Sequence, residues 1–135
     1  MAAPVLRGSE TILLVEDDVA LLGLVKQMLE TLGYKVFASA TPREAMVHAA
    51  EKSTEIKMLV TDMVMSGMTG WELAQKLQSL YPKLKCLYMS GHPDNVITRQ
   101  GVLPESINFI QKPFSRKELA AKIREVLEDK QPRKN

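Results

Sequence analysis

Asp62 ends the apolar run Lys57-Met58-Leu59-Val60-Thr61 and is followed by the turn-like stretch Met65-Ser66-Gly67-Met68-Thr69-Gly70. Glu16-Asp17-Asp18 ends a second apolar run, Thr11-Ile12-Leu13-Leu14-Val15. Carboxylates at the C-terminal ends of two buried strands would meet at one edge of a parallel sheet. There they can hold a divalent cation and leave one carboxylate oxygen to take a phosphoryl group. Two more candidates end apolar runs further along: Ser90-Gly91 after Lys85–Met89, and Lys112-Pro113-Phe114 after Ile107–Ile110. They add a hydroxyl, a position without a side chain and an ammonium group to the same edge.

The elements that must position these residues alternate regularly. Residues 11–16 read as a strand. Leu22, Val25, Leu29 and Leu32 have helical spacing over Val19–Leu32, and Gly33 is placed to stop that helix. Tyr34–Ala38 reads as a second strand. Thr41-Pro42-Arg43-Glu44 opens a helix to about Lys52, with Thr41 as N-cap and Glu44 as capping-box partner. A strand over 57–61 and a helix from Thr69 or Gly70 to Leu80 follow, the latter ended by Pro82. Strand 85–89, a weaker helix over Pro93–Gln100, strand Ile107–Ile110 and a helix capped by Ser115 with Glu118 complete the series. Continuous apolar strands between amphipathic helices predict one α/β domain, a doubly wound parallel sheet with helices on both faces. Ligands of such sheets bind beyond the strand C-termini, where the winding reverses. The acidic clusters fall there if the strand order is 2-1-3-4-5, which periodicity alone does not establish.

Composition narrows the classes. The 135 residues suit one domain, here 10–129, with residues 1–9 and 130–135 expected to be flexible tails. A net charge of +2 does not announce a nucleic-acid binder. The single cysteine, Cys86, excludes an internal disulfide and reads as a buried strand residue. Without a Cys/His cluster zinc is not expected, and His48 is given no role. No apolar stretch approaches the roughly 20 residues of a membrane helix, and the N-terminus lacks the apolar core of a secretory signal. The expectation is a cytoplasmic domain.

Taken together, LLVEDD, LVTDMVMSGMTG, YMSGH and FIQKPF resemble, in order and spacing, the two-component response-regulator receiver domain, over residues 10–129. The resemblance implies a flavodoxin-like receiver fold with five strands and five helices. It implies a phosphoryl group taken from a histidine of a sensor kinase or phosphotransfer protein onto Asp62, with Mg²⁺ (or Mn²⁺) held by Asp17, Asp62, Glu16 and the backbone carbonyl of Val64. Lys112 and Ser90 would contact phosphoryl oxygens, Gly91 would leave the phosphate room, and the Lys112-Pro113 bond would be cis. Ser90 and Phe109 would act as the switch that alters the surface of the fourth helix, fifth strand and fifth helix, a face that could also form a homodimer. The module would catalyse its own phosphorylation and slow dephosphorylation. SETILLVEDD and LVTDMVMSGMTGWELA resemble the C-terminal receivers of hybrid sensor histidine kinases most in character. The segment would then be the cytosolic part of a larger, membrane-bound protein; a stand-alone regulator is the alternative.

The chain departs from the family pattern at Ser66 and Phe109, and carries Ser90 where threonine is also common. Ser66 stands where proline is usual, which removes a fixed backbone angle from the loop. Phe109 replaces a frequent tyrosine and has no hydroxyl. Val64 and His92 occupy positions that flank the phosphoryl group and would tune its hydrolysis. Three rival classes remain. An aspartate-nucleophile phosphatase usually carries a second acid where Val64 stands. A flavin-binding domain would find its phosphate repelled by the acidic cluster after strand one. A degenerate docking receiver fits poorly with the retained Asp17, Asp62, Ser90 and Lys112.

Overall fold

The structure, a computed structural model, describes residues 6–91, 97–98, 101–102 and 107–129. In chain order they form β1 (Thr11–Val15), α1 (Val19–Thr31), β2 (Lys35–Ser39), α2 (Pro42–Glu51), β3 (Ile56–Asp62), α3 (Gly70–Leu80), β4 (Lys85–Ser90), β5 (Ile97–Thr98), β6 (Gly101–Val102), β7 (Phe109–Gln111) and α4 (Arg116–Leu127). Five strands make one sheet in the order β2-β1-β3-β4-β7, and every pairing in it is parallel. This is the expected 2-1-3-4-5 order, with β7 as the fifth strand.

Strand alternation builds two cores. Ile12, Leu14, Met58, Val60, Leu87 and Met89 face one side and pack with Val25, Leu29, Leu119 and Ile123 of α1 and α4. Leu13, Val15, Leu59, Cys86 and Tyr88 face the other side and pack with Ala45, Ala49, Leu73 and Leu77 of α2 and α3. A strand with both faces covered needs apolar residues at every position, which is why these runs are unbroken. Burial pushes the Cys86 thiol up to about 12, so the cysteine is a packing residue and not a nucleophile.

The helix ends follow from local chemistry. At the end of α1, Gly33 has φ +102, its N–H donates to Glu30 O at 3.0 Å, and the Tyr34 N–H donates to Leu29 O at 3.1 Å. These two bonds are a Schellman stop, which needs a residue free to adopt positive φ. Ser115 and Glu118 cap α4 reciprocally, and Thr69 and Glu72 do the same for α3. At α2 the Thr41 side chain accepts the Glu44 N–H as expected, but the Glu44 carboxylate reaches the Ala40 N–H at 3.0 Å. It therefore binds one residue earlier than a capping box requires.

One element differs in kind. Ile97–Thr98, inside the helix expected over Pro93–Gln100, pair antiparallel with Gly101–Val102. Ile97, Thr98 and Val102 are β-branched, and their stiff side chains favour extended backbone over helix. The rest of that segment lies outside the described residues, so α1 to α4 are the helices among the described residues. β2 and β7 each begin later in the chain than their apolar runs suggest, at Lys35 and Phe109. The tail residues 1–5 and 130–135 also lie outside the described residues. Gly8 donates to Leu32 O at 3.1 Å, and Arg124 Nη1 donates to Glu10 Oε1 at 2.8 Å.

The junction between β3 and α3 is closely packed. Gly70 N–H donates to Met63 O at 2.9 Å. A Cβ on Gly70 would overlap the Asp62 carbonyl oxygen and press on Met63 Cα at 3.2 Å. Gly70→Ala is expected to cost about 1–3 kcal/mol of stability through overpacking, read as a lower urea midpoint with unchanged slope. A midpoint equal to that of the wild type would contradict the tight contact.

Candidate functional site

Register brings the chemistry-bearing residues to one edge. Val15 of β1 lies level with Thr61 of β3, so Glu16 leaves β1 level with Asp62. Asp62 lies level with Met89, one residue before Ser90, and Ser90 lies level with Gln111, one residue before Lys112. Short backbone bonds carry the ladders past the strand ends: Glu16 N–H to Ser39 O at 3.1 Å, Met63 N–H to Met89 O at 2.9 Å and Lys112 N–H to Ser90 O at 2.7 Å. The Lys112-Pro113 peptide is cis.

At this edge the Lys112 ammonium lies between two carboxylates. Nζ donates to Glu16 Oε1 at 2.8 Å and to Asp62 Oδ1 at 3.0 Å. Glu16 is buried, and its Oε2 accepts the Asp18 N–H at 3.2 Å. Asp18 itself caps α1, its Oδ1 accepting the Leu21 N–H at 3.2 Å, the helix-start role its position suggests. Asp17 is exposed and accepts the Ser66 N–H on Oδ2 at 3.2 Å. One carboxylate oxygen from each of Glu16, Asp17 and Asp62 lies within 4.8 Å of the others. An all-oxygen, anionic donor set of this kind suits a hard divalent cation.

Burial raises the Glu16 carboxyl above its ordinary 4.5, and the nearby Asp62 charge adds to the rise; the Lys112 ammonium and the Asp18 N–H pull the other way. Burial alone would lower Lys112, but its hydrogen bonds to Glu16 and Asp62 outweigh burial and hold it above 10.5. The site is thus a charged cluster in which one cation balances at least two buried anions.

The remaining candidates fall as follows. Ser90 is buried at the end of β4, and Gly91 is exposed directly after it. Val64 is exposed in the loop after Asp62, and Phe109 is 39% exposed on β7, level with Tyr88. His92 lies outside the described residues. Met63 and Met65 are buried in the α2/α3-side core and Met68 packs against it, so the methionines after Asp62 fix the loop.

Two contacts were not anticipated. His48 pairs through Nδ1 with Ser39 Oγ at 2.9 Å, and it is the Ser39 carbonyl that receives the Glu16 N–H. The second is the Ser66 amide on Asp17. Its signal was present in the sequence, because a serine where proline is usual restores an N–H donor.

The family model for the response regulator receiver domain matches residues 12–124. The chain is 35% identical over 123 residues to the sensor kinase CckA of Brucella abortus (strain 2308), covering 91% of the chain and 13% of that protein. It is 29% identical over 116 residues to the response regulator receiver protein CpdR of the same organism, covering 86% of the chain and 95% of that protein. Among solved structures, the receiver domain from the hybrid histidine kinase CckA superposes with a TM-score of 0.72 at 27% identity, covering 87% of this chain and 98% of that one. The chain spans about half or less of the length of several curated relatives, including 47% and 26% of two transcriptional regulatory proteins. No helix among the described residues is long and apolar enough to cross a membrane.

Removing the ammonium tests the charge balance. Lys112→Met is expected to lower stability by about 2–3 kcal/mol at pH 7, less than for a fully buried pair because Lys112 keeps some water contact. A raised folded value means that the folded state binds the Glu16 proton more tightly than the unfolded state does. Protonation therefore favours folding as pH falls through the raised value toward 4.5, and the variant's deficit should shrink over that window. Urea melts at about pH 7 and pH 5 check this; an equal deficit at both would contradict it.

Proposed function

The chain belongs to the response regulator receiver domain family, and on that premise we propose that it accepts a phosphoryl group on Asp62 from a histidine of a sensor kinase or phosphotransfer protein. The observation that carries the reading is the Lys112 ammonium, 2.8 Å from Glu16 and 3.0 Å from Asp62, at the edge where three carboxylates meet. Lys112 engages one oxygen of Asp62, which leaves the other to attack phosphorus in line. The new O–P bond forms as the P–N bond to the donor imidazole breaks, and the imidazole nitrogen keeps the electron pair. Lys112 then transfers its hydrogen bond from the carboxylate to a phosphoryl oxygen, as a point charge. Ser90 donates its hydroxyl to a second oxygen, and Gly91 leaves the group room.

Glu16, Asp17, Asp62 and the Val64 carbonyl would hold Mg²⁺, or Mn²⁺. When bound, the cation offsets the repulsion among the carboxylates and the incoming phosphoryl oxygens. Ser90 and Phe109 form the switch. A hydroxyl drawn toward the phosphoryl group opens space against β7, and the half-exposed Phe109 changes rotamer, which shifts the population between two packings of the β7–α4 face.

We place the module in a hybrid histidine kinase, a context supported by the 35% identity to the sensor kinase CckA. A stand-alone regulator is the second reading, supported by the 95% coverage of CpdR.

Incubation with a small-molecule phosphodonor and Mg²⁺, followed by intact mass, tests the acceptor. The wild type should gain one phosphoryl group and Asp62→Asn none, and a chelator should abolish labelling. Equal labelling of both proteins would remove Asp62 from its role, and continuous turnover of phosphomonoesters would favour a phosphatase. For the flanking positions, the exposed apolar Val64 is expected to slow water attack, so Val64→Asn should shorten the phosphoryl half-life. His92→Ala should alter it. Unchanged lifetimes for both variants would reject the tuning role.

A further inference from the structure

Asp17 stands apart from the other two carboxylates. Glu16 and Asp62 are buried and both are tied to Lys112, whereas Asp17 is exposed. An exposed carboxylate with free rotamers spends much of its time turned to water, and a cation site needs it turned inward. Among the described residues, the one group that hydrogen-bonds to its side chain is the Ser66 N–H, at 3.2 Å to Oδ2, from a loop 49 residues away in sequence.

That amide is held firmly. Met65, the preceding residue, is buried in the core, with its sulfur 4.0 Å from Thr61 Oγ1. Gly67, the following residue, turns the chain at φ +85, a conformation that side-chain-bearing residues rarely adopt. Ser66 is therefore set between an anchor and a turn, and its N–H is aimed by backbone that the core fixes. Proline at this position has no N–H and could not make the bond; alanine could.

We propose that the backbone N–H of Ser66 is a positioning donor for the cation site. By holding Oδ2 it keeps the Asp17 carboxylate turned toward Glu16 and Asp62, so that the three oxygens are gathered before a cation arrives. The inference rests on the proposed reading of that cluster as a Mg²⁺ site. It assigns the serine a definite effect: the loop gains a donor where it forgoes a fixed angle. A preorganised ligand set binds more tightly because less freedom is lost on binding.

The test uses Mg²⁺ titrations of the unphosphorylated protein by calorimetry, with Ser66→Pro and Ser66→Ala beside the wild type. Ser66→Pro should weaken Mg²⁺ binding about three- to tenfold, the range of one net hydrogen bond. Ser66→Ala, which keeps the N–H, should stay within about twofold of wild type. A second readout needs no cation and no proline variant. In amide spectra of the metal-free protein, the Ser66 resonance should move clearly on Asp17→Ala, and it should move as the wild type takes up Mg²⁺. Proline and alanine variants that bind Mg²⁺ alike, a proline variant that binds more tightly, or a Ser66 amide indifferent to Asp17→Ala would each overturn the inference while leaving the cation site intact. A wild type with no saturable Mg²⁺ binding would overturn the cation-site reading itself, and this inference with it. If Ser66→Pro does not fold, the spectra of the wild type and Asp17→Ala decide alone.

Discussion

Three carboxylates meet where β1 and β3 end, and one ammonium group, that of Lys112, offsets their repulsion. Two of those anions are buried, and an unpaired buried charge costs several kcal/mol. The fold tolerates the cluster because β7 delivers a cation to it from the far side of β4. On the proposed reading, a divalent cation would be a stronger partner for the anions and a phosphoryl group a better one for the ammonium. A phosphoryl group on one carboxylate would change the partners of every charged member at once, which is how a local covalent event can bias a larger surface.

Backbone register is what makes that delivery accurate. Glu16 leaves β1 level with Asp62, and Ser90 and Lys112 each lie one residue past the position level with the site residue on the neighbouring strand, so the four emerge along one edge although 96 positions separate the first from the last. The unbroken apolar runs serve this end as well as stability. With both faces buried, a one-residue slip would send each core side chain to the opposite face, against the wrong helices, and move the site residues off their line. Ser39 extends the same logic to the edge strand, its carbonyl receiving the Glu16 amide while its hydroxyl is engaged by His48 of α2.

Where local reading and structure part, the reason is in each case a competing interaction. Glu44 reaches past the Thr41 amide to that of Ala40. Ile97 and Thr98 pair antiparallel with Gly101–Val102 although they fall inside the weaker helix expected over Pro93–Gln100, because β-branched residue types favour extended backbone. The strand limits at Lys35 and Phe109 are set by where a neighbouring strand offers partners, which the apolar runs do not encode. Ser66 was read as a loss of stiffness, because a sequence displays which residues lack a donor more readily than where a donor points.

The sequence alone determined the alternation of elements, the helix stop at Gly33, the helix start at Ser115, and the identity of the residues with groups able to hold charge. Those are local matters of periodicity, φ preference and functional-group chemistry, and each is written within a few neighbouring residues. Only the tertiary structure decided that Lys112 lies between Glu16 and Asp62, that Asp17 is exposed and held by an amide 49 residues away, and that His48 supports the edge of the site. These contacts depend on strand order and register, which arise from packing the whole chain at once. A spacing along the sequence carries no distance in space until that packing is complete.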